Sequence, residues 1–114
     1  MNEYMLIYKG GDSSWTKASA EEKQAVMAQW GQWLGKLGEK GQLVTGGSPL
    51  ELAGKRLKKD GVVTDIAASE VKELVSGYSI IKAESPDQAA VIARDCPIFR
   101  IPGSVVEIRA VLAM

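Results

Sequence analysis

The sequence predicts an α+β fold in which an antiparallel sheet carries two helices on one face. Short apolar runs bounded by glycine and proline alternate with two stretches of helical periodicity. In chain order these read strand, helix, strand, hairpin, strand, helix, strand. Setting the hairpin aside as an insertion leaves βαββαβ, the ferredoxin-like arrangement. The last strand is also partly apolar on both of its faces. The sheet face away from the helices therefore needs a cover, and a second copy of the chain in a symmetric dimer supplies one most simply.

The first strand is Tyr4 to Tyr8, short and apolar, closed by Gly10-Gly11-Asp12. Ser19 with Glu22 three residues later is a capping box that opens the first helix. Val26, Met27, Trp30, Trp33, Leu34 and Leu37 follow at helical spacing as one apolar stripe, and Gly41 stops the helix. Gly31, Gly35 and Gly38 fall beside that stripe. They are either a thin face for close packing or a surface where glycine is tolerated, at roughly 1 kcal/mol each. Gln42 to Thr45 is the second strand. Lys55–Lys59 and Val62–Asp65 flank Asp60-Gly61, a tight hairpin signal because this pair accepts positive φ at both turn positions. Gly77 to Ala83 is a further strand. Ser85-Pro86-Asp87-Gln88 opens the second helix with a cap, a first-turn proline and a second box, and the helix ends near Cys96-Pro97. Val105 to Leu112 closes the sheet, with Val106, Ile108, Ala110 and Leu112 on one face.

The 114 residues are 46% hydrophobic and 25% charged, which suits one domain spanning 1–114 with a modest core. Fourteen basic residues balance fourteen acidic ones, so nothing in the charge draws the chain to nucleic acid or a membrane. No histidine is present, and the single cysteine closes no internal bridge. The usual general base near neutral pH and the commonest metal ligand are thus missing, and no metal or other cofactor is expected. The first residues lack the basic stretch and long apolar run of a secretory leader, so the cytoplasm is the expected location.

From Asp65 to Tyr78 the chain reads Asp-Ile-Ala-Ala-Ser-Glu-Val-Lys-Glu-Leu-Val-Ser-Gly-Tyr. This resembles the signature of YCII-related proteins of the DGPF type, with Asp65, Glu70, Lys72, Glu73, Gly77 and Tyr78 in register without a gap. Tyr4-Met5-Leu6-Ile7-Tyr8, Gly41-Gln42-Leu43-Val44, Cys96-Pro97 and the final strand from Gly103 through Val105, Glu107 and Arg109 extend the resemblance over nearly the whole chain. It implies a dimeric α+β barrel with a cleft between sheet and helices. It does not imply one activity. Some DGPF-type proteins are associated with extracytoplasmic-function sigma factors, which suggests a regulatory setting, and YCII-like relatives have been proposed to use a His-Asp pair. Two departures matter here. Ile66-Ala67-Ala68 replaces the Gly-Pro-Phe after Asp65, and Trp30 stands where those relatives carry histidine. A His-Asp mechanism is excluded.

What remains is a set of candidates, each with a plainer reading beside it. Asp65 is either a base facing an apolar cleft or a cap on a local turn. Lys72 either binds an anionic ligand or pairs with Glu70 or Asp65. Tyr78 either offers its hydroxyl at a cleft mouth or fills core or dimer interface. Trp30 either lines a cleft or packs in the core, and Ser48 completes the ligand-binding set. Lys55, Arg56, Lys58 and Lys59 form a basic arm better explained as a protected edge than as a nucleic-acid ribbon. The expectation is a homodimer that binds a small apolar or amphipathic molecule in its cleft. The alternatives are an enzyme with Asp65 as base and Lys72 or Tyr78 positioning substrate, and a partner of a transcription regulator.

Overall fold

A computed structural model of the chain describes residues 1–10, 15–66 and 74–114. Four strands form the main sheet: β1 (Asn2–Lys9), β2 (Leu43–Thr45), β5 (Val75–Ala83) and β6 (Val105–Ala110), in the order β2-β5-β1-β6. Every pairing is antiparallel. Helix α1 (Ala20–Glu39) connects β1 to β2, and α2 (Pro86–Ala93) connects β5 to β6. Both helices pack on one face, so the ferredoxin-like α+β reading holds.

Alternation along the central strands decides what each face meets. Tyr4, Leu6 and Tyr8 of β1 and Ser79, Ile81 and Ala83 of β5 are buried under the helices. Register confirms the shared face: Leu6 stands opposite Ser79 and Ile108, and Tyr4 opposite Ile81. Leu6 and Ile81 are fully buried, each contributing about 1.5–3 kcal/mol of apolar transfer. Trp33 and Leu37 of α1, Ala89 and Ala93 of α2, and Cys96 and Ile98 beyond it complete the core. The alternate set, including Met5, Ile7, Tyr78 and Ile80, lies half-buried on the face away from the helices.

Both helix starts follow their local sequence. The Ser19 hydroxyl accepts from the Glu22 amide at 3.1 Å, and Ser85 accepts from the Gln88 amide at 3.1 Å. The Gln88 side chain reaches back past the Ser85 cap and accepts from the Glu84 amide. Several boundaries differ from expectation. Helix α2 stops at Ala93, where the Arg94 amide turns back to the Val91 carbonyl at 3.4 Å, ahead of Pro97. Strand β6 stops at Ala110, leaving Leu112 81% exposed rather than on the core face. Met27, placed on the apolar stripe, is 66% exposed. The core-facing arc of α1 is centred on Trp33 and Leu37, and Met27 lies at its margin.

The hairpin forms its own two-stranded sheet, β3 (Lys55–Leu57) with β4 (Val63–Asp65), all of it exposed. Its turn is wider than a two-residue one. The Lys58 amide bonds to the Val62 carbonyl, so Lys59-Asp60-Gly61 form the loop. Only Gly61 takes positive φ, at 88°, while the Asp60 carboxylate accepts from the Val62 amide at 2.9 Å.

Two sets of glycines behave oppositely. Gly47 has φ of 69°, and a Cβ built there stands 1.8 Å from the Tyr78 carbonyl oxygen. The loop after β2 closes against β5 only because that atom is missing. Gly31 and Gly35 meet nothing within 4 Å among the described residues, so no other described element packs on them. Gly47→Ala is expected to destabilise the fold by on the order of 3 kcal/mol or more. Gly31→Ala and Gly35→Ala should each stabilise it by up to about 1 kcal/mol. Urea unfolding of the three variants checks both signs.

Candidate functional site

Where β1 and β5 run together beneath α1, the core contains a polar chain. Tyr8 sits opposite Gly77, where a Cβ would rest in ordinary contact with the ring, 3.6 Å from Tyr8 Cδ2. The Tyr8 hydroxyl donates to Ser79 Oγ at 2.8 Å, and the Ser79 hydroxyl donates to the Gly46 carbonyl at 2.8 Å. Trp30 meets the Tyr8 ring edge-to-face, with centroids 5.2 Å apart, and Trp33 meets Trp30 the same way at 5.8 Å. Tyr8 and Cys96 are each under 5% exposed, and Ser79 is fully buried.

Electrostatics make this cluster inert at neutral pH. Burial pushes the Cys96 thiol up to about 11. Burial, reinforced by the adjacent Cys96, holds the Tyr8 phenol above its ordinary range, with the Ser79 hydroxyl acting the other way. Both groups stay protonated and neutral. The space expected to be a cleft between sheet and helix is filled by Tyr8, Trp30 and Trp33. Trp30, a candidate on α1, is half-buried with its indole between the Tyr8 and Trp33 rings.

The other sequence candidates are dispersed. Asp65 ends β4, where its exposed carboxylate pairs with Lys55 across the hairpin. Tyr78 lies half-buried on the face away from the helices, opposite Ile7, and Ser48 is exposed in the loop before β3. Lys72, with Glu70 and Glu73, lies outside the described residues. Among the described candidates, Tyr78 and Ser48 share one neighbourhood: Gly47 packs on the Tyr78 carbonyl, and a Cβ at Gly77 would lie 3.0 Å from the Ser48 carbonyl oxygen. Sequence reasoning missed Tyr8 and Ser79. The signal was strand parity, because Ser79 shares its face with Ile81 and Ala83.

Open space occurs instead beside the hairpin. A groove of about 460 Å³ is walled by Leu50, Leu52, Ala53, Ile66, Leu74 and Val75, with Glu51 and Arg56 as its charged groups. Hydrogen bonds lace its walls together. The Leu50 amide donates to the Ser76 carbonyl at 2.8 Å and the Ile66 amide to the Gly54 carbonyl at 3.0 Å. Ile66 packs so closely over Gly54 that a Cβ there would stand 2.9 Å from its Cδ1. Among the described residues no group of three or more acidic or cysteine side chains lies close enough to hold a metal ion. No described helix is long and apolar enough to cross a membrane.

Comparison with known families matches residues 1–114 to the YCII-related domain. No curated protein matches the chain.

The hydroxyl chain gives an ordered pair of expectations. Tyr8→Phe leaves Ser79 still bonded to Gly46 and should lower stability by about 1 kcal/mol. Ser79→Ala strands both the Tyr8 hydroxyl and the Gly46 carbonyl and should lower it by about 2–3 kcal/mol. Equal losses in denaturant titrations would contradict the chain as drawn. The raised thiol sets a pH window. The unfolded chain releases that proton near 9 and the folded chain near 11, so stability is full below pH 9 and declines as pH rises toward 11. Tyr8 adds to the decline at higher pH, and Cys96→Ala should flatten the slope between 9 and 11.

Proposed function

The chain belongs to the YCII-related domain family, and from that premise we propose that it is a homodimer binding a small apolar or amphipathic molecule, without histidine chemistry, in the groove beside the hairpin. One observation carries this reading. Ile66 at the start of the signature stretch and Leu74 and Val75 near its end all wall the same groove. The described residues at either end of the stretch that resembles the family signature thus border the open apolar space. Six apolar residues supply burial, and Arg56 supplies a counter-charge for an anionic head group. The enzyme alternative finds less support, because the Asp65 carboxylate is exposed and paired with Lys55.

The dimer rests on the sheet face away from the helices. Met5, Ile7, Tyr78 and Ile80 occupy its middle, and Glu3, Lys82, Glu107 and Arg109 surround them. An apolar centre ringed by both signs of charge is self-complementary under two-fold rotation. The lone buried cysteine suits the reducing cytoplasm, where this reading places the protein.

Decanoate serves as the probe. It should displace a fluorescent naphthalene sulfonate dye from the wild type saturably. Leu50→Asp should abolish that displacement, and Arg56→Gln should weaken it about tenfold. Sedimentation of the same samples should give a dimer mass. Absence of saturable displacement overturns the groove assignment, and a monomer mass overturns the dimer.

A further inference from the structure

Between α1 and the turn after α2 lies a second groove of about 320 Å³. Its lining differs in kind. Gln29, Gln32 and Lys36 recur at i, i+3 and i+7, so they share one face of α1, and Asp95 and Pro97 stand opposite. Trp33 forms the floor. We propose that this groove binds a small zwitterion of the α-amino-acid type, its carboxylate toward Lys36 and Trp33 and its ammonium toward Asp95.

Three observations converge on that ligand. First, the groove holds one cation and one anion, yet neither Lys36 nor Asp95 forms an ion pair or side-chain hydrogen bond among the described residues. Gln29 and Gln32 are equally without side-chain partners there. Second, Trp33 is only 7% exposed, and its indole N–H has no acceptor among the described residues. That donor is nonetheless not sealed off from the surface, because no buried side-chain nitrogen or oxygen is left unpartnered. An indole N–H is a donor only, so it calls for an acceptor such as a carboxylate oxygen. Third, Asp95 follows the C-terminal end of α2, where the helix carbonyls add partial negative charge. Carboxylate and helix end together favour an ammonium. The indole face and the Pro97 ring supply apolar contact for a side chain.

The proposal stands apart from the hairpin groove, which shares none of these residues. The test uses the full chain, nitrogen-15 labelled, titrated with L-leucine and followed by the Trp33 indole and the Gln29 and Gln32 side-chain amide resonances. Two analogues each remove one charge: leucinamide lacks the carboxylate, and N-acetylleucine lacks the ammonium. Leucine should shift these resonances saturably and bind about tenfold tighter than either analogue. Lys36→Gln should erase the preference over leucinamide alone, and Asp95→Asn the preference over N-acetylleucine alone. Both positions are exposed, so the variants keep the fold. Absence of saturable shifts, equal binding of all three molecules, or selectivity unchanged in the two variants would each overturn the assignment.

Discussion

The structure hinges on one buried hydroxyl. Ser79 lies at the seam of the two central strands, fully removed from water, and a buried hydroxyl without partners would cost several kcal/mol. Its two bonds are the solution: it accepts from Tyr8 and donates to the Gly46 carbonyl. Together they tie β1, β5 and the loop after β2 into one unit. That loop in turn lies so close to β5 that Gly47 has no room for a side chain. Tyr8, held by its hydroxyl, presents its ring to Trp30, and Trp30 to Trp33. That polar contact thus orients the rings that α1 meets, beside the apolar core of Leu6, Trp33, Leu37 and Ile81.

That arrangement has a functional consequence. Three aromatic rings fill the space between sheet and helix where an open cleft was expected, and the titratable groups beside them are held neutral. Open space lies farther out, in an apolar groove at the hairpin and a polar one between α1 and the turn after α2. The two grooves differ in lining, one walled mainly by aliphatic side chains and the other mainly by polar ones. The hairpin, marginal as an isolated two-stranded ribbon, is steadied where Ile66 seats over Gly54.

How far each feature could be read in advance follows from the range of the interaction behind it. Ser19 and Ser85 cap helices three residues away, and both were visible as short patterns. Trp33 and Leu37 follow from helical spacing, but Met27 does not share their burial, because spacing alone leaves the width of the buried arc open. Asp60-Gly61 marked a turn correctly, while its loop length depended on which flanking amides paired. Tyr8 and Ser79 are separated by 71 positions, and neither carries a local pattern that names the other. Asp65 drew attention through its place in a signature stretch, yet its surroundings are those of an exposed ladder end beside Lys55.

By itself, then, the sequence determined the order of strands and helices, the caps that start the helices, and the βαββαβ arrangement. These rest on contacts within one turn of helix or on strand alternation, both written in neighbouring residues. Tertiary structure alone decided that the cleft is filled, that Tyr8 and Ser79 share a hydrogen bond, and that Lys36 and Asp95 face one groove. Those outcomes depend on the register between strands far apart in the chain and on how each helix settles on the sheet, and no local stretch of residues encodes them.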